Sequence, residues 1–313
     1  MVSPVVVAEI VRSGFVEGHH YGSVVALAPD GSVDWSVGAV ETAVLPRSCN
    51  KPLQALGMVR AGLDLPDDLL ALACASHSGE PFHLDGVRRI LDSAGLDASA
   101  LQTPPDHPLD DAARAEALRE GREPDAISMN CSGKHAAMLA TCVLNGWDLA
   151  TYRDAAHPLQ VAIAETFAEA TGEPVEVVAV DGCGAPLLST SLVGLARAFR
   201  RLAVADDGPE RRVAEAIRRH PEFVSGTRRD ELTLLRAIPG AIGKAGAESC
   251  YAVALPDGRA VALKVDDGAP RARPVVMAAA LARCGVDSDA VRATGTLPVL
   301  GGGVPVGEIR ATL

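Results

Sequence analysis

Two hydrophobic periods divide the chain. Residues 5–13 (VVVAEIVRS), 23–28 (SVVALA) and 32–38 (SVDWSVG) are short, rich in β-branched residues and bounded by polar turns, and they predict β-strands. Pro29, Asp30 and Gly31 form the turn between the second and third. The same triplet returns as Pro256, Asp257 and Gly258 inside YAVALPDGRAVALKV (251–265), which predicts a second hairpin, and VGEIRATL (306–313) alternates enough for one more strand. Between these blocks the period is helical. Pro158 opens a run in which Leu159, Ile163 and Phe167 recur every fourth residue until Gly172 stops it. Residues 133–145 place Leu139, Cys142 and Val143 on one face, with Ser132 as N-cap candidate and Gly146 as the stop. Further helical stretches are expected over 66–74, 84–94, 109–121, 187–202, 209–219 and 273–284.

Strands at both ends with helices between them predict an α+β fold, in which N- and C-terminal strands pair into one antiparallel sheet and a helical middle region folds over it. A single unit over residues 1–313 is expected, its sheet part at roughly 1–60 and 240–313 and its helical part at roughly 61–239. This layout is not the βαβ alternation of a doubly wound fold. The glycine runs GCG (182–184) and GGG (301–303) match neither dinucleotide nor phosphate-loop spacing, so no nucleotide cofactor is expected.

Composition then narrows the partners. A hydrophobic fraction of 48% and a charged fraction of 22% are those of an ordinary globular chain. The net charge of -11 argues against nucleic acid and anionic membranes, which need clustered cations, and leaves a small molecule as the expected ligand. MVSPVVVAEIVRSG, at the N-terminus, has no basic run before its apolar residues, and no apolar run reaches the ~18 residues of a membrane span. A cytoplasmic location is expected. Seven scattered cysteines (49, 74, 131, 142, 183, 250, 284) suit reduced thiols better than a disulfide framework.

The candidate chemistry lies in five short segments. RSCNKP (47–52) sets Ser48 and Lys51 one helical turn apart at a strand-to-helix transition, with Pro52 restricting the backbone at Lys51. A serine hydroxyl attacks only when a base takes its proton, and a lysine is that base once burial or a second cation, here Arg47 or another lysine, lowers its pKa. The competing reading is a helix cap beside a solvated lysine. GKAG (243–246) puts Lys244 ahead of a strand, the lysine-x-glycine arrangement of the penicillin-recognising serine enzymes. CASHSGE (74–80) offers Ser76 as a partner for Lys244, with His77 and Glu80 orienting substrate; alternatively Ser78 and Glu80 open the next helix. MNCSGKHAAM (129–138) gathers backbone amides and Lys134 at a helix start, a natural carboxylate site. VDGCGAP (180–186) ends an apolar strand in Asp181, an acid suited to an amino group. Cys131, Lys134 and Cys183 are also candidate metal ligands, lysine being an unusual one.

RSCNKP, CASHSGE, NCSGKH, VDGCGAP and GKAGAE, in this order and at these separations, resemble the bacterial L-asparaginase II family of the rhizobial, thermolabile inducible type (class 3). That family is distinct from the threonine-nucleophile bacterial enzymes and from the N-terminal-nucleophile plant type. The likeness runs from about residue 16 to the C-terminus, with NCSGKH and DGC its most specific pieces. It departs from the pattern at Tyr21 in EGHHYG, where a basic residue is usual, and in SGTRRD (225–230).

The resemblance implies hydrolysis of L-asparagine to L-aspartate and ammonia, on a fold similar to serine β-lactamases and glutaminases, by a homodimer. It implies two Ser-Lys pairs at one centre, Ser48 with Lys51 and Ser76 with Lys244. It also implies a metal, generally zinc, on Cys131, Lys134 and Cys183, whose need in the chemistry stays open. Arg47, Asp181 and His135 would hold the substrate's charged ends. Acyl transfer to Ser48 with Lys51 as base is the expected mechanism, Ser76 being the alternative nucleophile. The rivals are a glutaminase or β-lactam-recognising enzyme of the same fold, the latter weakened by the lack of an SDN triplet, and a non-catalytic amino-acid- or metal-binding relative.

Overall fold

A computed structural model of the chain describes residues 5–313. Residues 1–4, included in the expected sheet region, lie outside the described residues. In chain order the elements are β1 (Val5–Arg12), β2 (Phe15–Leu27), β3 (Val33–Val37), a 3₁₀ turn (Arg47–Asn50), α1 (Lys51–Arg60), α2 (Asp67–Ala73), α3 (Pro81–Ser93), a short 3₁₀ turn (Ala98–Ala100), α4 (Asp111–Arg119), α5 (Ser132–Asn145) and α6 (Pro158–Thr171). There follow β4 (Val178–Val180), β5 (Pro186–Leu188), α7 (Leu192–Val204), α8 (Gly208–Arg219), α9 (Pro221–Val224), α10 (Asp230–Ala237), β6 (Ile242–Ala245), β7 (Cys250–Ala254), β8 (Ala260–Val265), α11 (Ala272–Arg283), α12 (Asp289–Thr294), β9 (Leu297–Gly301) and β10 (Val304–Ala311). They gather into two compact units. One takes residues up to Cys49, Thr190–Val204 and Thr233–Leu313; the other takes Asn50–Ser189 and Ala205–Leu232.

The first unit is built on an antiparallel sheet ordered β6-β7-β8-β2-β1-β10-β9, with β3 also paired to β2. This is the α+β architecture that terminal strands and a helical middle predict. The length of β2 explains its three neighbours: along one edge Gly22–Leu27 pair with β8, while the other edge meets β1 over its first half and β3 over Val24–Leu27. Every position of β7 is buried, as is every position of β8 but Lys264, so both sheet faces are covered there. The covering helices are α7, through Leu192, Leu195, Phe199 and Leu202, and α11, through Val275, Val276, Met277 and Leu281.

The second unit is helical. Its α1 is buried at every position from Lys51 to Met58, packing on α6, α8 and α5. Glycines set two of its close approaches: a Cβ at Gly57 would sit 3.0 Å from the Ile163 backbone of α6, and one at Gly133 would sit 2.7 Å from Leu72 of α2. Two helix starts differ from the expected ones. The helix expected over 187–202 begins at Leu192 because Leu187 and Leu188 pair with Ala179 and Val178 in the β4-β5 ribbon. Ser132 is the first residue of α5 rather than its cap; its hydroxyl donates to Ile127 O (2.6 Å) and meets His77 Nε2 (2.8 Å), and Cys131 occupies the cap position. Among the described residues no helix is long and apolar enough to cross a membrane, and the seven cysteines are free thiols.

Candidate active site

In the sheet unit the chemistry gathers around the turn that carries Ser48. Pro46 and the following residues fold tightly, Cys49 N donating to Pro46 O (3.1 Å), and the turn continues into α1 with Pro52 inside the first helical turn, where its missing N–H costs nothing. The end of β6 lies flat against this turn. Cys49 Sγ reaches Lys244 O (3.0 Å), and a Cβ on Gly246 would stand 2.6 Å from Pro46 O and 3.2 Å from Ser48 N. Thus the end of β6, with Lys244 inside the strand rather than ahead of one, lies against the Ser48 turn. Lys244 is fully buried, and its Nζ donates to Ala245 O (2.7 Å). Arg47, next to Ser48, pairs with Glu248 at 3.6 Å.

In the helical unit Lys51 begins α1 with 1% of its surface exposed. Its Nζ lies within hydrogen-bond reach of Ala75 O (2.6 Å), Ser76 Oγ (3.0 Å) and Cys131 Sγ (3.0 Å). The serine hydroxyl on Lys51 is therefore Ser76. Ser76 is itself fixed by its backbone, N–H donating to Val224 O (3.1 Å).

Beside this pair stand two sulfurs. Cys183 sits on the tight β4-β5 turn, closed by Asp181 N to Ala185 O (2.9 Å) and Gly184 N to Asp181 O (2.8 Å), with Gly184 at φ 83°, a conformation glycine takes readily. Lys134 Nζ donates to Cys183 Sγ (3.2 Å), while Cys131 Sγ lies 3.0 Å from Asn130 Oδ1. Both cysteines share one buried cluster with Met129 and Ala185. Hydrogen bonding between the two thiols, reinforced by burial, pushes Cys131 up; the same bond, with the Lys134 ammonium, holds Cys183 well below the usual thiol range. Burial works against the charge on Lys134, but Cys183, Cys131 and Asp181 outweigh it and hold the amine above the ordinary lysine value.

His135 follows Lys134 and is fully buried; burial brings its imidazole down to about 4, against the pull of Cys183. Its Nδ1 meets Tyr152 Oη at 2.6 Å, and its Nε2 is buried without a hydrogen-bond partner of ordinary geometry among the described residues. No group of three or more His, Cys, Asp or Glu side chains converges as a metal site among the described residues. A metal here would rest on the two sulfurs and Lys134, with Nε2 the remaining donor at hand.

The other two sequence candidates are engaged by the protein. His77 accepts from Gly79 N at Nδ1 (3.2 Å), so its Nε2 carries the proton and donates to Ser132 Oγ; burial, then His83 and Lys51, keeps it neutral. Glu80 precedes α3, as the helix-opening reading of CASHSGE has it, and its two carboxylate oxygens accept from Thr227 N (2.8 Å) and Thr227 Oγ1 (2.6 Å). Ser78 Oγ adds a bond to Ser225 O (2.8 Å), and Arg228 Nε one to Asp110 (3.0 Å). The SGTRRD segment is thus fastened along CASHSGE. Sequence reasoning gave no role to Asn130, Tyr152, Thr227 or Glu248; the first and last lie inside recognised motifs, whereas nothing in the pattern marks Tyr152.

Comparison with known proteins completes the picture. Among solved structures the chain is similar to a β-lactamase from Mycobacterium bovis (17% identity, TM-score 0.47, over 84% of this chain and 94% of that one). It is also similar to EstCE1, a hydrolase with promiscuous acyltransferase activity (14%, 0.40, over 80% and 91%), and to Mglu in its native form (13%, 0.45, over 86% and 66%). No curated protein sequence matches it. The family model for L-asparaginase II matches residues 8–311, with all five motifs inside the matched span, and the chain belongs to the L-asparaginase II family.

Proposed function

We propose that the protein is an amidohydrolase of the rhizobial, thermolabile inducible class, converting L-asparagine to L-aspartate and ammonia by acyl transfer to serine. The observation that carries this reading is the buried amine of Lys51, held 3.0 Å from the Ser76 hydroxyl at the end of the turn that bears Ser48. Ser48 attacks the side-chain amide carbon, and Lys51, three residues on, takes its proton. Ser76, hydrogen-bonded to the same amine, passes a proton to the leaving nitrogen, and water then hydrolyses the acyl-enzyme. Backbone amides at the turn stabilise the oxyanion. Lys244, buried on the strand behind the Ser48 turn, is proposed as the lysine of the second Ser-Lys pair, with Ser76. Asp181 is proposed, with Arg47 and His135, among the residues around the substrate's charged ends, and His77 and Glu80 act by holding the Ser76 segment.

Cys131, Lys134 and Cys183 are proposed to hold a zinc ion. The two cysteine sulfurs and the imidazole of His135 beside them are donors zinc takes, and Lys134, an unusual ligand, joins them once it gives up its proton. When bound, such an ion supplies positive charge and Lewis acidity. We further propose a cytoplasmic homodimer.

Purified protein incubated with L-asparagine, L-glutamine and a chromogenic β-lactam, following ammonia and ring opening, tests the substrate. Ammonia from asparagine at more than ten times the glutamine rate is the expected result, and its absence removes the proposal. Ser48→Ala and Ser76→Ala, compared for a trapped acyl-enzyme by mass spectrometry, identify the acylated serine; a label on Ser76 in the wild type would exchange the two roles.

A further inference from the structure

Arg47 and Glu248 bring a guanidinium and a carboxylate side by side at the turn that bears Ser48, both within the sheet unit, with Nη1 3.6 Å from Oε1. Both residues have left-handed backbones, φ 53° and 54°, and Ser249 follows at 50°. Only one other non-glycine residue among those described, Ser13, has positive φ. L-residues hold this conformation where their surroundings impose it. Here Lys264 Nζ grips Glu248 O (2.6 Å), Ser249 Oγ donates to Ala269 O (2.5 Å), and Val265 N donates to Ser249 O (3.1 Å). Gly268 lies against the carboxylate, and a Cβ there would overlap Glu248 Oε2.

An ion pair whose carboxylate is 60% exposed adds little to stability, so it does not explain why three strained residues are assembled to present it. A ligand explains it better. The α-carboxylate and α-ammonium of a free amino acid hang from one carbon, and a cation and an anion side by side match them with two charge-assisted hydrogen bonds. A peptide bears neither charge at an internal residue, and a β-lactam has no free α-ammonium beside its carboxylate.

We propose that Glu248 is a specificity-determining residue that receives the α-ammonium of an amino-acid amide while Arg47 holds its α-carboxylate. The two-point contact makes the site selective for free amino acids. This deepens the amidohydrolase reading and rests on it.

Three amides separate the contacts: L-asparagine, succinamate, which lacks the α-ammonium, and 3-aminopropanamide, which lacks the α-carboxylate. Glu248→Gln should raise KM for asparagine on the order of 10- to 100-fold, the size of a lost charged hydrogen bond, with kcat within about threefold and KM for succinamate unchanged. Glu248→Gly removes the same carboxylate but suits the backbone, so it should raise KM equally without lowering Tm. Arg47→Gln should impair asparagine and succinamate but not 3-aminopropanamide. Equal effects of Glu248→Gln on asparagine and succinamate, or a fall in kcat with KM unchanged, overturn the assignment. If the wild type releases ammonia from none of the amides, the amidohydrolase reading fails by itself. Calorimetric binding of L-asparagine and succinamate to wild type and Glu248→Gln then decides the role of Glu248 by the same ratios.

Discussion

Lys51 Nζ lies 3.0 Å from Ser76 Oγ, with 1% of the lysine and 6% of the serine exposed to solvent. Burial of this kind gives an amine and a hydroxyl a fixed geometry and little competing water. Lys51→Met keeps the apolar stem and removes the amine. It should lower kcat for amide hydrolysis by about 10²- to 10⁴-fold, the usual contribution of a general base, with Tm changed by only a few degrees. Ammonia release under saturating substrate measures it, and near-wild-type turnover would take Lys51 out of the chemistry.

Gly246 is where β6 meets the Ser48 turn. A methyl group at this position would stand 2.6 Å from Pro46 O and 3.2 Å from Ser48 N, both backbone atoms that cannot swing aside. Gly246→Ala should therefore destabilise the fold by about 1–3 kcal/mol, as overpacking does, and reduce turnover beyond the loss of folded protein. Urea unfolding beside kcat on the folded fraction separates the two effects.

His83 predicts an acid sensitivity. Its Nδ1 accepts from Glu80 N (3.2 Å), its Nε2 meets Glu222 O (3.0 Å), and burial pushes its pKa down to about 4. The folded pKa lies below the unfolded value of 6.5, so the unfolded chain takes the proton first. The stabilising contribution is complete above pH 6.5 and is lost as the pH falls toward 4. Between pH 7 and pH 4.5, His83→Gln should lose about 2 kcal/mol less stability than the wild type, a difference set by the two pKa values. His135, brought to about 4 as well, leaves part of the slope in the variant. Identical slopes would mean that His83 is not a group that titrates on unfolding.

The sulfur pair makes a metal prediction with two readouts. Lys134 carries its proton beside Cys183, and Cys131 is the protonated thiol of the pair. Ligation displaces both, so zinc uptake should release about two protons per ion at neutral pH. Calorimetry in buffers of different ionisation enthalpy counts them. Cys183→Ser should leave less than about 0.2 zinc per chain by elemental analysis, because it removes the thiolate among the proposed ligands.

Legibility in the sequence followed the range of the interactions. The hairpins around Pro29–Gly31 and Pro256–Gly258 and the helices over 133–145 and 158–171 rest on neighbours and on turn residues, and they stand where the patterns put them. β9 contains Pro298, and α12 is six residues long, too short for a period to show. Spacing alone could not have found the Lys51–Ser76 bond, since it depends on how the segment after α2 folds back to the start of α1. Glu80 illustrates the same limit: its carboxylate meets Thr227, 147 positions away, and no local pattern announces such a partner.

The pairing of β1 with β10 has a consequence for how the protein is made. Glu9 and Arg310, 301 positions apart, lie opposite each other in the ladder, so the first strand waits for the last before that part of the sheet closes. During synthesis the helical unit, whose chain is complete by Leu232, can form while β1, β2 and β3 are a three-stranded piece whose β1 edge is open. That edge is an exposed template for wrong partners until residues 304–311 leave the ribosome. Slow closure of this long-range pair, rather than helix formation, should set the folding rate.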